Sequence, residues 1–289
     1  PKKVRQNLNR WIIGRLVNAK QAVELALEGF RFDSDAAALY QFAWCVFCDW
    51  HLEFAKPVFQ GEDAAPAAKA ETRAVTAWVL GQLLHLMHPL MPFITEELWA
   101  QVGPKSANGT APGMLMTAHW PDAAPELIDA KADADLDWVI RLIGEVRALR
   151  MEMNVPPATL VNLRVKDAND ATQDRIAQYG DLVRRLARAE QLDLITAEGP
   201  KGAAQIVLDE ATVFLPLAGI IDIAKERARL TKDLDKAKAE AERIEKKLGN
   251  PQFVSKANPE VIEEQRAKLA EFQQAQAKLT QALQRLASI

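Results

Sequence analysis

Two cysteines, Cys45 and Cys48, are all the thiols in this chain of 289 residues. They are too few for a disulfide framework, which points to a reducing compartment. No run of about 18 apolar residues exists for a membrane span, and the opening PKKVRQNLNRW lacks the apolar segment of a signal peptide. A cytoplasmic protein with no membrane partner is expected. A large net charge is also missing: 36 basic side chains against 39 acidic ones leave −3, with no whole-molecule signature of a nucleic-acid binder. Nor does the chain contain GxxxxGK[ST], GxGxxG after a strand, HExxH or GxSxG. No catalytic residue is assigned.

What is present is an uneven spread of charge. From Gly219 to the end, 14 Lys+Arg stand against 11 Asp+Glu, a net +3, whereas the first 218 residues carry a net −6. A hydrophobic content of 49% supplies enough material for a real core. Three regions follow from the patterning, and together they predict a mainly α protein. These are a helical bundle over 1–125, a small α+β module over 126–218 and a long antiparallel coiled-coil hairpin over 219–289.

In the first region Leu8, Ile12, Leu16, Ala19 and Val23 form one apolar stripe, and Leu39, Phe42, Val46, Trp50 and Phe54 form another. Gly29 reads as a stop, Asp33 or Ser34 as the next cap, and Pro57 as the end of the second helix. A third helix is expected over about 68–88. A short fourth one begins at Thr95 after Pro89 and Pro92, and a loop covers 103–125. In the middle region, helix patterns near 133–153 and 171–189 alternate with LVNLRV, LDLIT, AQIVL and TVFLPL, the last two flanking a turn at Asp209 and Glu210.

In the third region Ile220, Ile223, Arg227, Leu230, Leu234, Ala237, Ala241, Ile244 and Leu248 alternate three and four apart. Ile262, Gln265, Leu269, Phe272, Gln276, Leu279, Leu283 and Leu286 repeat the spacing, the a/d pattern of a coiled coil. Gly249, Asn250 and Pro251 stop the first arm, with the glycine expected in a left-handed conformation. Asn258 can cap the second arm, with Pro259 at its first position. Each arm is then roughly 40 Å long, and the predicted register sets Ala237 and Ala241 against Leu269 and Gln265.

The outermost positions of the first arm hold Lys225, Arg229, Lys232, Lys236, Ala239, Arg243 and Lys246, six of the seven basic. Such a row could follow a ribose-phosphate backbone, positioning RNA without reading its bases. A solvated outer face is the plainer account of the same charges. At the tip, Phe253 could stack on an unpaired base with Lys256 near a phosphate, or fold back over the open end of the hairpin. In the bundle, Lys2, Lys3, Arg5, Arg10, Arg15 and Lys20 precede the first acid, Glu24. Arg10, Arg15, Lys20 and Lys56 are the second candidate set for RNA contact.

No metal site is expected. Cys45 and Cys48 have CxxC spacing but lie in an apolar helical run without further ligands. His85 and His88 lack a third ligand and fit helix-ending histidines near the last carbonyls. Glu96 and Glu97 suit the positive end of a helix.

Three stretches carry a specific likeness. HPLMPFITEELW, from His88 to Trp99, and FRFDSDAAALYQFAWCVFCDWHLEFAKP, from Phe30 to Pro57, resemble the anticodon-binding domain of the class I synthetases for valine, leucine and isoleucine. RMEMNVPP, from Arg150 to Pro157, and the hairpin with NPQFVSKA are similar to the carboxy-terminal part of the bacterial valyl-tRNA synthetase family. His51 stands where the resembling DWYLE pattern has tyrosine. The likeness covers essentially the whole chain and implies a piece of a larger, monomeric enzyme. In that family ATP activates valine for transfer to tRNA(Val), the bundle approaches the anticodon, and the coiled coil contacts the outer corner of the tRNA. The catalytic domain with its HIGH and KMSKS signatures lies elsewhere, so this part is expected to need no cofactor, ATP serving the parent enzyme. A further bundle helix is implied before the first residue. The competing reading is a coiled-coil module that docks another protein, with Ala224, Ala228 and Ala239 leaving room for a close helix.

Overall fold

The computed structural model describes residues 3–61, 65–103, 113–250 and 259–287. By internal contacts the chain divides into two compact units, Pro1–Ile140 and Arg141–Ile289.

The first unit is helical. α1 (Asn7–Glu28) ends at Gly29, and α2 (Phe32–Tyr40) runs without interruption into a stretch of wide, π-helical turns at Gln41–His51 and then α3 (Leu52–Gln60). α4 (Pro66–Met87) and α5 (Pro92–Val102) follow, each with proline at its start, where a missing N–H costs nothing. Two short 3-10 turns, Leu115–Thr117 and Pro125–Leu127, precede α6 (Ala130–Glu152), whose residues up to Ile140 belong to this unit. Both predicted stripes face inward: Ile12, Leu16, Val23, Leu39, Phe42 and Phe54 are buried, and the Trp11 and Phe54 rings meet at 6.2 Å.

Several local expectations change. Neither Asp33 nor Ser34 caps α2, which starts at Phe32 with Asp33 in its first turn. Pro57 lies inside α3, where burial of Phe54 and Ala55 holds the helix together across one missing ladder bond. α5 begins at Pro92 rather than Thr95, and the Thr95 hydroxyl donates back to the Met91 carbonyl at 2.8 Å. His85 does not serve the helix-end carbonyls; its ring packs on Trp99 with centroids 4.7 Å apart, while His88 Nδ1 pairs with Thr95 Oγ1 at 2.8 Å. Glu96 pins the following segment by accepting from the backbone N–H of Leu115 at 2.7 Å and of Met116 at 3.1 Å.

α1 has no side-chain cap of its own. Glu71 of α4 supplies the missing acceptor: its carboxylate takes the N–H of Gln6 at 2.8 Å, the N–H of Arg5 at 3.1 Å and Asn9 Nδ2 at 3.0 Å. Burial pushes the Glu71 carboxyl up, but hydrogen bonds from Asn9, Gln6 and Arg5 and the charge of Arg10 outweigh it and hold the group below its usual range.

The second unit holds the rest of α6 and a four-stranded mixed sheet of order β2-β1-β4-β3. β1 (Val161–Lys166) pairs in parallel with β2 (Ala189–Ile195) across α7 (Asp170–Ala187), and β3 (Ala203–Leu208) and β4 (Ala211–Pro216) form the expected hairpin. Asp209 turns that hairpin in a left-handed conformation, φ 53°, with its carboxylate forked by Arg141 at 2.8 and 3.0 Å. α7 stops at Ala187, two residues before the predicted end, because Arg188 takes a left-handed conformation and redirects the chain into β2.

The arm is an antiparallel pair, α8 (Ile223–Leu248) and α9 (Pro259–Ala287). Leu230, Leu234, Ala237, Ala241 and Ile244 are buried along α8, as are Ala282 and Leu286 near the end of α9. Arg227 leaves the predicted seam and is exposed, while its neighbour Glu226 is buried beneath Arg229. A buried charge needs a partner, and Glu226 has one in Arg229. Gly249 stays right-handed, φ −77°, since its N–H still reaches the Glu245 carbonyl at 2.7 Å. Gln276, rather than Leu269, is laid against Ala237, donating Nε2 to its carbonyl at 3.2 Å. The offset from the predicted partner is one heptad, and the a/d pattern repeats every seven residues, so periodicity alone does not choose between the two registers. At the foot of the arm Arg285 of α9 pairs with Glu152 of α6 at 2.5 Å.

Candidate nucleic-acid interface

α8 carries the candidate contact residues because its apolar seam occupies one side only. Asp222 starts the helix by accepting the Lys225 N–H at 3.0 Å, an N-cap whose charge also suits the positive helix end. That bond, ahead of the opposing effect of desolvation, holds the Asp222 carboxyl below its usual range.

Lys225, Arg229, Lys232, Lys236, Arg243 and Lys246 are all exposed on the faces away from α9. Four of them share charge with acids of their own helix. Lys225 sits 3.6 Å from Asp222, Arg229 holds Glu226 and, at 3.1 Å, Asp233, Arg243 is 3.2 Å from Glu240, and Lys246 is 2.7 Å from Glu242. Among the described residues no ion pair involves Lys232 or Lys236. Apart from the Arg229–Glu226 pair, whose carboxylate is buried, these pairs are solvent-exposed and weak, so an arriving phosphate can exchange for their carboxylates. A shallow open groove runs along this side of α8, lined by Arg227, Lys232 and Lys236 and by the small residues Ala224, Ala228 and Ala239. Asp235 is the acid in that groove. Arg227 occupies a predicted heptad position yet is exposed on this side of the helix. Phe253 and Lys256 lie outside the described residues.

The candidates in the bundle have different surroundings. Arg10 reaches Asp129 at 3.4 Å and the Val4 carbonyl at 3.0 Å, and Arg15 reaches Asp133 at 2.8 Å and Asp137 at 3.4 Å. These contacts tie α1 to the start of α6. Lys20 pairs with Glu24 at 2.7 Å, and Lys56 pairs with Glu53. The structure therefore brings the six arm cations onto one helix and places the four bundle cations beside carboxylates.

His51 and His85 both pack against aromatic rings. His51 is enclosed, with Nε2 against Thr76 Oγ1 at 3.0 Å and its ring stacked on Phe47, and burial lowers its pKa to about 4. Burial, with help from the charge of His88, also lowers that of His85. Among the described residues no three His, Cys, Asp or Glu side chains form a metal set, and none of the helices is long and apolar enough to cross a membrane.

Comparison with known proteins places these features in a family. Residues 9–166 match the anticodon-binding domain of tRNA ligase, and residues 222–287 match the valyl tRNA synthetase tRNA binding arm. The valine–tRNA ligase of Caulobacter vibrioides is 48% identical over 292 aligned residues, covering 100% of this chain and 31% of that protein. The valine–tRNA ligase of Mesorhizobium japonicum is 46% identical over 96% of this chain and 29% of its own length, and that of Rhizorhabdus wittichii 45% over 96% and 30%. The chain thus spans about a third of the relatives it matches. It belongs to the anticodon-binding family of tRNA ligases and corresponds to the carboxy-terminal part of valyl-tRNA synthetases.

Proposed function

We propose that this chain is the tRNA-gripping part of a cytoplasmic, monomeric valine–tRNA ligase, holding tRNA(Val) while valine activation with ATP takes place in a portion of the enzyme beyond this sequence. The observation that carries the reading is the exposed basic face of α8 within the region that matches a tRNA-binding arm. Lys225, Arg229, Lys232, Lys236, Arg243 and Lys246 would lie along the ribose-phosphate backbone at the outer corner of the tRNA, while α9 braces them through the shared seam. Phe253 and Lys256 are assigned to the tip contact. For the bundle, the reading gives Arg10, Arg15, Lys20 and Lys56 a contact on the anticodon side in which phosphate takes the place of the carboxylates they now hold.

A salt titration of tRNA(Val) binding tests this. Each lost phosphate contact removes about 0.9 from the slope of log affinity against log salt, so replacing Lys232, Lys236 and Arg243 together by Gln is expected to flatten it by roughly two to three. An unchanged slope would remove α8 from the interface. The groove beside Ala224, Ala228 and Ala239 also suits a close protein helix; tRNA binding that is absent at every salt concentration would favour that second reading.

A further inference from the structure

We propose a second site for the phosphate backbone of RNA, on the second unit but off the arm, where the last turns of α6 and α7 come together and gather Arg147, Arg150, Arg184, Arg185 and Arg188. The inference rests on the tRNA-binding reading above. Arg184, Arg185 and Arg188 fall between the two matched regions, which end at 166 and resume at 222.

Guanidinium-to-carbonyl bonds hold the two helix ends together. Arg147 Nε donates to the Leu186 carbonyl at 3.0 Å, and Arg150 donates to the carbonyls of Arg188 at 3.3 Å, Pro156 at 3.3 Å, Pro157 at 3.4 Å and Thr159 at 2.9 Å. Arg150 is buried with a full set of carbonyl partners and acts as the fixed positive charge underneath. Arg147, Arg185 and Arg188 are exposed around it, and Arg184 pairs with Asp181.

The plainer account is that these cations offset two negative helix ends. Each end is worth only about half a charge, so together they match about one guanidinium. The acids on the same turns and on β2 are Glu145, Glu152, Asp181, Glu190 and Asp193, of which Glu152 is taken up by Arg285 and Asp193 by Arg164. Charge therefore remains in surplus, and like charges crowd: burial first, and then the neighbouring Arg188, depress the basicity of Arg150. An anion would relieve that crowding, and planar guanidinium groups match phosphate oxygens well.

Arg188 carries the sharpest sign. It closes α7 in the left-handed conformation, φ 54° and ψ 50°, the place that glycine takes at no steric cost. Its backbone carbonyl receives Arg150 and the Val161 N–H, and its own N–H reaches Arg184, all of which glycine could provide. The strain is thus borne for the side chain.

Arg188→Gly separates the accounts, because it relieves strain while removing a cation. The expected result is a higher melting temperature by circular dichroism together with tRNA affinity reduced about fivefold at roughly 0.1 M salt and a slope shallower by about one. Adding Arg185→Gln is expected to take off about one more. A raised melting temperature with affinity and slope unchanged in the double variant would leave only a helix-capping role and overturn the site. If Arg188→Gly instead lowers the melting temperature, Arg185→Gln alone decides by the same slope. The Lys232, Lys236 and Arg243 triple variant is the reference. Loss of slope there but not here defeats this inference alone, and loss in neither defeats the tRNA reading itself.

Discussion

His51 Nε2 and Thr76 Oγ1 lie 3.0 Å apart inside the first unit, joining the wide-turned segment after α2 to α4, with His51 Nδ1 lacking a hydrogen-bond partner. Burial at this spot favours the neutral ring. The pKa of about 4 in the fold lies below the ordinary 6.5, so the folded state binds fewer protons than the unfolded state between those values. Stability is therefore full above pH 6.5 and falls as pH drops toward 4. From pH 7.5 to pH 5 the loss from this group is about 2 kcal/mol. His51→Phe should remove most of that acid sensitivity. All 7 tryptophans precede Arg141, so fluorescence follows this unit alone and gives the measurement. A pH dependence identical in the variant would contradict the assignment, apart from the smaller part that His85 adds with the same sign.

Glu71→Gln is expected to destabilise the same unit by about 2 kcal/mol, since one carboxylate accepts two backbone N–H groups and Asn9, and bonds to a charged acceptor are the stronger kind. Urea unfolding followed by tryptophan emission would measure it. Loss confined to the lead-in of α1 should also appear as faster amide exchange at Arg5 and Gln6.

Arg150→Lys tests the carbonyl cage. A lysine ammonium cannot fork toward four carbonyls, so the substitution should cost about 2 kcal/mol in the second unit despite keeping the charge. Far-ultraviolet dichroism would report it, with tryptophan emission unchanged.

Gln276→Leu in the arm is expected to act in the opposite direction. The Ala237 carbonyl lies within the α8 ladder, so removing the Gln276 bond orphans nothing and adds apolar contact. A gain of about 1 kcal/mol is anticipated, with looser register, because a polar residue in such a seam specifies alignment at a cost in stability. Dichroism melts and amide exchange along α8 would show both.

Much of this architecture can be read from spacing. Three-and-four periodicity marks both arm helices, the break at Asp209 marks the β3–β4 hairpin, and the basic outer row of α8 is visible once the seam is aligned. The features that escaped depend on distant partners. Nothing near Glu71 in the sequence connects it to Arg5, and nothing near Arg15 connects it to Asp133 and Asp137. The wide turns of Gln41–His51 carry no local marker, since their apolar pattern suits an ordinary helix equally well. The Arg188 reversal was hidden because arginine takes a position where glycine would have announced it.

The foot of the arm has a mechanical consequence. α8 leaves the sheet shortly after β4, and α9 comes back to it, with Leu286 buried and Arg285 fastened to Glu152. The arm is therefore clamped at both roots, like a cantilever built into a wall, and a sideways load at its far end loads one root in tension and the other in compression. With a reach of roughly 40 Å, small yielding at the Arg285 root is magnified into large sweep at the tip, so the stiffness of the whole limb is set by a few contacts at its base.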